Sequence, residues 1–276
     1  MPVKITTLIE NNPGEHLGLK FEHGLSFFIE KDEYRILFDT GQSGAFIANS
    51  KQLKADLGFL DFVVLSHGHY DHSRGLRFLA EVTTDFKLIM GQGFFDEKYG
   101  VKNNTSEYLG NNFDEQFLAD QKIAYQFVDQ QLTELLPNVY VVTGFPRIHE
   151  DEKINPRFMV NRNGIFQADC FDDEILLAID SSEGLVVILG CSHPGMKNML
   201  DSAVNLLKRP LYAVVGGTHL VESSKSSLQM SMDYLQSDTL KVIGVSHCTG
   251  KVAMDQLEAS NDRFYLNRTG STLLIS

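Results

Sequence analysis

The stretch "VVLSHGHYDHSRGL", Val63 to Leu76, sets three histidines and one aspartate within six residues, directly behind a run of apolar side chains. A short apolar run that ends in polar residues reads as a buried strand feeding a loop. His67 and His69 are two positions apart, so on extended backbone both side chains fall on one side and can chelate a single cation. Asp71 and His72 follow at the turn into a helix and are expected to face a second cation nearby. Neutral imidazole and carboxylate are donors that suit zinc and similar divalent ions. A single histidine behind a strand would more often be solvated or structural, so the rest of the chain has to decide between a metal site and a polar loop.

Upstream, "KITTLIE", "LSFFIE" and "YRILFDTG" read as short strands separated by polar or Gly-containing turns. Downstream, the strand-to-helix unit of the opening motif recurs. "FVVLSHGH" leads into the helical spacing of Leu76, Leu79 and Val82, and "LVVILGCSH" leads into "MKNMLDSAVNLL". "LYAVVGGTHL" precedes "SSLQMSMDYLQ", and "LKVIGVSHCTG" precedes "KVAMDQLEAS". Each of these four buried-type strands stops at small residues and then presents a histidine, namely His67, His193, His219 and His247. Six of the nine histidines lie at these junctions. Loops beyond the carboxyl ends of strands are where α/β architectures place their ligands. The pattern predicts an α/β (α+β) chain with a metal centre at its strand ends.

Composition narrows the class. The 276 residues are 43% hydrophobic, enough for a real core without cross-links. Cys170, Cys191 and Cys248 are odd in number and widely spaced, which argues against a disulfide framework and for a reducing compartment. "MPVKITTLIE" lacks the form of a secretory signal, and no apolar run approaches the ~20 residues of a membrane span. A cytoplasmic location without membrane association is therefore expected. A formal charge of −12 disfavours a nucleic-acid partner while leaving room for a local basic pocket.

The residues His67, His69, Asp71 and His72 meet in full the His-x-His-x-Asp-His signature of the metallo-β-lactamase superfamily, which this chain resembles. More narrowly, "EHGLSFFIE", "ILFDTGQSGAF", "LSHGHYDH", "GCSHPGMKNML", "GGTHL" and "HCTG" resemble the branch named for 7,8-dihydropterin-6-methyl-4-(β-D-ribofuranosyl)aminobenzene-5′-phosphate synthase. The resemblance spans about residues 22 to 250. It implies a four-layer αβ/βα sandwich as a single domain, 1–276, with metals at one edge. It assigns His67, His69 and His193 to one ion, and Asp71, His72 and His247 to the other. Asp39 of "LFDTG" matches a position that supports the metals by fixing a ligand histidine. The chain departs from relatives that bridge the ions with an aspartate, because Gly190-Cys191 stands at the comparable strand end. Cys191 is then either a thiolate ligand or a small buried residue. Arg74 replaces a customary Gly and reads as either an anion contact or a solvated side chain. Asp180 in "AIDSSEGLVV" reads as part of a hairpin turn.

Four further features carry expectations. His219, with the six ligands already assigned, is a candidate hydrogen-bond donor to substrate or a structural residue. Gly216 and Gly217 suit either close approach of a substrate or a tight turn. Residues 92–136 mix aromatics with Asn, Gly and acidic residues, and read as a substrate-capping insertion. In "TGFPRIHEDEKINPRFMV", Arg147 and Arg157 are candidate anion contacts and "EDE" reads as solvated surface.

These features lead to the expectation of a metal-dependent hydrolase. It, or a phosphoryl-group enzyme of the same kind, would use two divalent ions, zinc first and Mn, Fe or Ni as alternatives, to present a hydroxide to a small phosphorylated or otherwise anionic substrate, with Asp71 and His219 as catalytic groups. The competing readings are a synthase releasing pyrophosphate, a di-iron redox protein, and a non-catalytic metal-binding regulatory module.

Overall fold

The computed structural model describes residues 2–15, 18–103 and 105–276. In chain order its first elements are β1 (Val3–Ile9), β2 (Ser26–Lys31), β3 (Tyr34–Phe38), α1 (Ala45–Leu53), β4 (Phe62–Val64), α2 (Tyr70–Ser73) and α3 (Leu76–Leu79). Next come β5 (Lys87–Gly91), β6 (Glu97–Lys102), β7 (Thr105–Tyr108), α4 (Glu115–Gln121), β8 (Ala124–Val128), β9 (Leu132–Leu136) and β10 (Val139–Val142). They are followed by β11 (Phe158–Arg162), β12 (Ile165–Ala168), β13 (Leu176–Asp180), β14 (Leu185–Leu189), α5 (Met196–Leu207) and β15 (Leu211–Gly217). The chain ends with α6 (Lys225–Leu235), β16 (Val242–Ser246), α7 (Lys251–Ser260) and β17 (Thr272–Ile275). Among the described residues no helix is long and apolar enough to cross a membrane.

Two compact units are built from these elements. The first comprises residues 1–128, 155–173 and 268–275, and the second residues 129–154, 174–267 and 276. The first unit carries a seven-stranded sheet in the order β17-β1-β2-β3-β4-β5-β8. Its β17, β1, β2 and β3 are antiparallel neighbours, whereas β3-β4, β4-β5 and β5-β8 are parallel. Phe28, Leu37, Val63 and Leu88 from the sheet join Phe46, Leu76 and Leu79 in one buried cluster. Each such side chain contributes about 1.5–3 kcal/mol by leaving water. The same unit holds a four-stranded sheet, β12-β11-β6-β7, all of it antiparallel.

The second unit carries a six-stranded sheet, β16-β15-β14-β13-β10-β9. Here β14, β15 and β16 are parallel neighbours, so their carboxyl ends share one edge. Met196, Met199, Leu200 and Ala203 recur at the 3.6-residue period of α5 and join Leu185, Val187 and Leu189 of β14 in the core. Asp180 ends β13 in the hairpin with β14, and receives Arg209 Nε at 2.8 Å.

Three local readings of the sequence differ from the structure. Residues 92–136 are not one excursion: β6 and β7 enter the small sheet, β8 is the edge strand of the first large sheet, and β9 belongs to the second unit's sheet. Weak hydrophobic periodicity over that stretch reflects short edge strands, whose outer faces stay polar. In the "EDE" stretch, Glu152 accepts the backbone N–H groups of Lys197 and Asn198 at 2.8 and 2.9 Å, while Asp151 pairs with Lys197 Nζ. The first turn of a helix leaves N–H donors without an intrahelical acceptor, and the Glu152 carboxylate meets that need for α5. The helical spacing of Leu76, Leu79 and Val82 forms a helix only over α3, after a break from the turn α2 that carries Asp71 and His72, and Val82 is 47% exposed beyond its end.

Gly75 sits at that break. A Cβ there would lie 2.0 Å from the carbonyl oxygen of Thr40, and Gly75 N–H donates to Gly41 O at 3.0 Å. Gly75→Ala should therefore lower stability by about 1–3 kcal/mol through overpacking, read as a lower denaturation midpoint at unchanged m-value. An unaltered midpoint would show that this close approach does not constrain the helix pair.

Candidate metal centre

In the first unit, β4 hands over to the histidine loop. His67 and His72 are fully buried, and His69 and Asp71 are 5% exposed. His69 keeps extended backbone, φ −79° and ψ 150°, which sets its ring on the same side as that of His67. His67 Nε2 lies 3.0 Å from His69 Nδ1, a spacing at which two ring nitrogens share one proton or one cation. Burial pushes the His67 imidazole well below its ordinary pKa, and the neighbouring His72 and His69 act in the same direction. The ring is therefore held neutral, the form that ligates metals.

Asp39 organises the other face of this loop. Its backbone is left-handed, φ +58°, and its carboxylate is fully buried. One oxygen accepts Ser66 N–H at 2.7 Å, and the other lies 2.8 Å from Ser66 Oγ and 2.6 Å from His72 Nδ1. Burial raises the Asp39 pKa, against the pull of His72 and Ser66. With Nδ1 engaged by a carboxylate, His72 offers Nε2 for ligation, the arrangement that fixes tautomer and ring orientation in metal sites. That Nε2 lies 3.7 Å from Asp71 Oδ2, and the half-exposed His23 brings its Nε2 to 3.1 Å from the same oxygen.

A buried ion triad supports the loop from below. Lys98 Nζ lies 2.8 Å from both Asp169 Oδ2 and Asp173 Oδ1, and the second oxygen of Asp173 accepts Gly68 N–H at 2.8 Å. Burial alone would lower the Lys98 pKa, but Asp173 and Asp169 outweigh it and the pKa is raised. Lys98 also stands 4.7 Å from the centre of the Phe171 ring, which meets the His69 ring edge-on at 5.3 Å. Phe158 packs 5.6 Å from His69 and carries Arg157 stacked on its outer face at 4.0 Å. Arg74 donates to Gly110 O at 3.1 Å and lies over the Tyr70 ring at 5.2 Å, so it anchors the chain around residue 110.

In the second unit the three parallel strands end in three similar turns. Ser192 after β14, His219 after β15 and His247 after β16 all have left-handed backbone, with φ of +62°, +50° and +55°. Such conformations in residues other than glycine carry strain and persist only where surroundings impose them. The surroundings are visible. Glu174 accepts Ser192 N–H and, at 2.8 Å, His193 N–H; Ser192 Oγ donates to Gly217 O at 2.8 Å. Thr218 and Thr249 join their hydroxyls at 2.9 Å. The His193 and His219 rings stand 4.3 Å apart, and His219 Nδ1 is 3.9 Å from Glu222. Cys191, His247 and Cys248 are buried, with donor atoms all within 4.8 Å of one another. Gly216 and Gly217 are required by close packing, because Cβ atoms there would meet Leu189 O at 2.0 Å and Gly190 O at 2.3 Å. Arg147 is exposed in this unit, and His149 is engaged with Asp201 at 2.7 Å.

Each unit thus gathers its own predicted donors. His67, His69, Asp71, His72 and Asp39 meet in the first, and Cys191, His193, His219 and His247 cluster at one sheet edge in the second. Neutral imidazoles, a carboxylate and thiols form a donor chemistry that fits a divalent transition ion. Sequence reasoning missed Lys98, Asp169, Asp173, Glu174 and His23. The run "DDEILLAID" held a signal, since acidic residues immediately before a buried strand have to be solvated or bonded. Lys98 gave none, because a lysine in a strand is ordinarily exposed.

Comparison with known proteins agrees with this geometry. The profile of the metallo-β-lactamase superfamily matches residues 19–105. A Methanocaldococcus jannaschii protein, 7,8-dihydropterin-6-methyl-4-(β-D-ribofuranosyl)-aminobenzene-5′-phosphate synthase, is 30% identical over 263 residues, covering 90% of this chain and 88% of that one. The crystal structure of Tm1679, described as a metal-dependent hydrolase of the β-lactamase superfamily, superposes with a TM-score of 0.85 at 28% identity and 98% coverage of both chains. YhfI from Bacillus subtilis, a metallo-β-lactamase fold protein, shares the fold with a TM-score of 0.57 at 13% identity, covering 99% of this chain and 100% of that one. The chain belongs to the metallo-β-lactamase superfamily and has its fold.

The Lys98 triad makes a quantitative expectation. Lys98→Met leaves two buried carboxylates without their cation and should destabilise the protein by about 3–5 kcal/mol. Adding Asp169→Asn and Asp173→Asn to that variant should recover most of the loss. Equal denaturation midpoints for the single and triple variants would show that the triad is not a charge-balanced unit.

Proposed function

We propose that this protein is a metal-dependent hydrolase or phosphoryl-group enzyme acting on a small phosphorylated or otherwise anionic substrate. The observation that carries the reading is the neutral, buried His67 imidazole with its Nε2 3.0 Å from His69 Nδ1. In this reading His67, His69 and His193 hold one divalent ion, and Asp71, His72 and His247 hold the second. Zinc suits the donors best, with Mn, Fe or Ni as alternatives. When bound, such ions supply Lewis-acid charge and bring the pKa of water toward about 7.

The protein's own groups take defined parts. Asp39 holds His72 in one tautomer, and Asp173 and Glu174 fix the backbone on which His67, His69 and His193 ride. Asp71 accepts a proton from the attacking water or orients it. His219 donates a hydrogen bond to a substrate oxygen or leaving group. Arg157, and Arg147 from its exposed loop, are proposed to attract the substrate's negative charge. The segment around β6 and β7 is proposed to shape the substrate pocket. We further propose a single functional domain working in the cytoplasm, with no nucleic-acid or membrane partner.

A second reading, favoured by the synthase from Methanocaldococcus jannaschii at 30% identity, is a reaction that joins two substrates and releases pyrophosphate. Fold likeness alone does not choose between these chemistries.

The reading is tested on protein purified without added metal, by elemental analysis and by assay on phosphodiesters, phosphomonoesters, lactones and β-lactams. About two ions per chain are expected, and both metal and turnover should fall together in His67→Ala and Asp71→Ala. Turnover that survives loss of the metal would overturn the mechanism. Bound metal with pyrophosphate release from paired substrates, and no hydrolysis, would select the synthase reading.

A further inference from the structure

We infer that Cys191 and Cys248 join His247 as a thiolate and imidazole ligand set, so that one cation of the centre is sulfur-ligated. This rests on the metal-dependent reading above and deepens it, since that reading names only imidazole and carboxylate ligands.

Three observations within the second unit support it. The donor atoms of Cys191, His247 and Cys248 lie within 4.8 Å of one another, and the residues are only 4%, 4% and 9% exposed. Donors that share a tetrahedral zinc ion stand about 3.5–3.8 Å apart, given bond lengths of about 2.3 Å to sulfur and 2.0–2.1 Å to nitrogen. Side-chain rotation therefore suffices to bring the trio onto one ion.

The second observation is the cradle around Cys248. Its Sγ accepts the backbone N–H of His219 at 3.3 Å and donates to Cys191 O at 3.5 Å, and a Cβ on Gly217 would approach it to 2.6 Å, so the sulfur is held between the ends of β14 and β15. Gly217 leaves the space that the large sulfur atom needs.

The third observation is the backbone of His247, left-handed at φ +55° and directly followed by Cys248. That turn, tied to the β15 end by the Thr218 and Thr249 hydroxyls, is what lets two successive side chains serve one locus. Cys170, in contrast, is exposed and has no place in this set. Sulfur ligation selects among metals: thiolates favour zinc, iron and copper(I), whereas magnesium, calcium and manganese prefer oxygen.

The test uses full-length protein loaded with cobalt(II), which reports sulfur ligation through an intense thiolate-to-cobalt charge-transfer band in the near ultraviolet. The band should be present in the wild type, weakened in Cys191→Ser and in Cys248→Ser, lost in the double variant, and unchanged in Cys170→Ser. X-ray absorption on zinc-loaded wild-type protein, which needs no variant to fold, should show zinc–sulfur scattering near 2.3 Å. Cobalt bound without the band, or zinc surrounded only by nitrogen and oxygen, would overturn the sulfur ligation and leave the metal-dependent reading intact. Wild-type protein that binds neither ion would overturn both.

Discussion

Both candidate donor clusters depend on buried carboxylates that hold backbone N–H groups at strand ends. Asp39 accepts Ser66 N–H, Asp173 accepts Gly68 N–H, and Glu174 accepts the N–H groups of Ser192 and His193. When a strand stops and turns, its amides lose their ladder partners, and a buried amide without an acceptor costs about 1–3 kcal/mol. A carboxylate supplies the missing acceptor through a charge-assisted bond, roughly twice as strong as a neutral one. The loops therefore keep one shape before any ion arrives. Pre-organisation of this kind is what a site needs if ligands are to stand within about half an ångström of their working positions.

The carboxylates themselves have to be stabilised in a dry interior, and each is handled differently. Asp39 has the His72 ring and the Ser66 hydroxyl. Asp173 shares Lys98 with Asp169, and that lysine comes from a strand of the small sheet. Lys98 thus couples the small sheet to the histidine loop of the same unit. This gives β6 a task in supporting the candidate metal ligands that is separate from the part proposed for it in shaping a substrate pocket.

Much of this was legible in the sequence. Four strands ending in histidine, and the helices after three of them, match β14 to α5, β15 to α6 and β16 to α7 closely, because hydrophobic period and strand-end Gly or Ser signal local structure directly. The pairing of Asp39 with a ligand histidine followed from resemblance rather than from any local pattern. The parts that sequence reasoning missed are non-local. Lys98 and Asp173 are 75 positions apart, and Glu174 meets Ser192 across 18. No periodicity links such residues, and an acidic run such as "DDE" looks like solvated surface until the topology buries it. The break between α2 and α3 was hidden for the same reason, since it follows from the approach of Gly75 to Thr40.

The charge balance follows from the same geometry. The chain carries a formal charge of −12, yet its substrate is proposed to be anionic. Around the histidine loop the fixed side chains add further negative charge, since Lys98 faces two aspartates and Asp39 and Asp71 lie close by. A field of that sign draws divalent cations in and repels anions. Under the proposed function, an anionic substrate would become favourable only after cations had reversed the local sign, so metal loading would gate substrate binding as well as supply Lewis acidity. Arg157, fixed on Phe158 beside His69, stands where it adds to that reversed field without competing with the metals for their ligands.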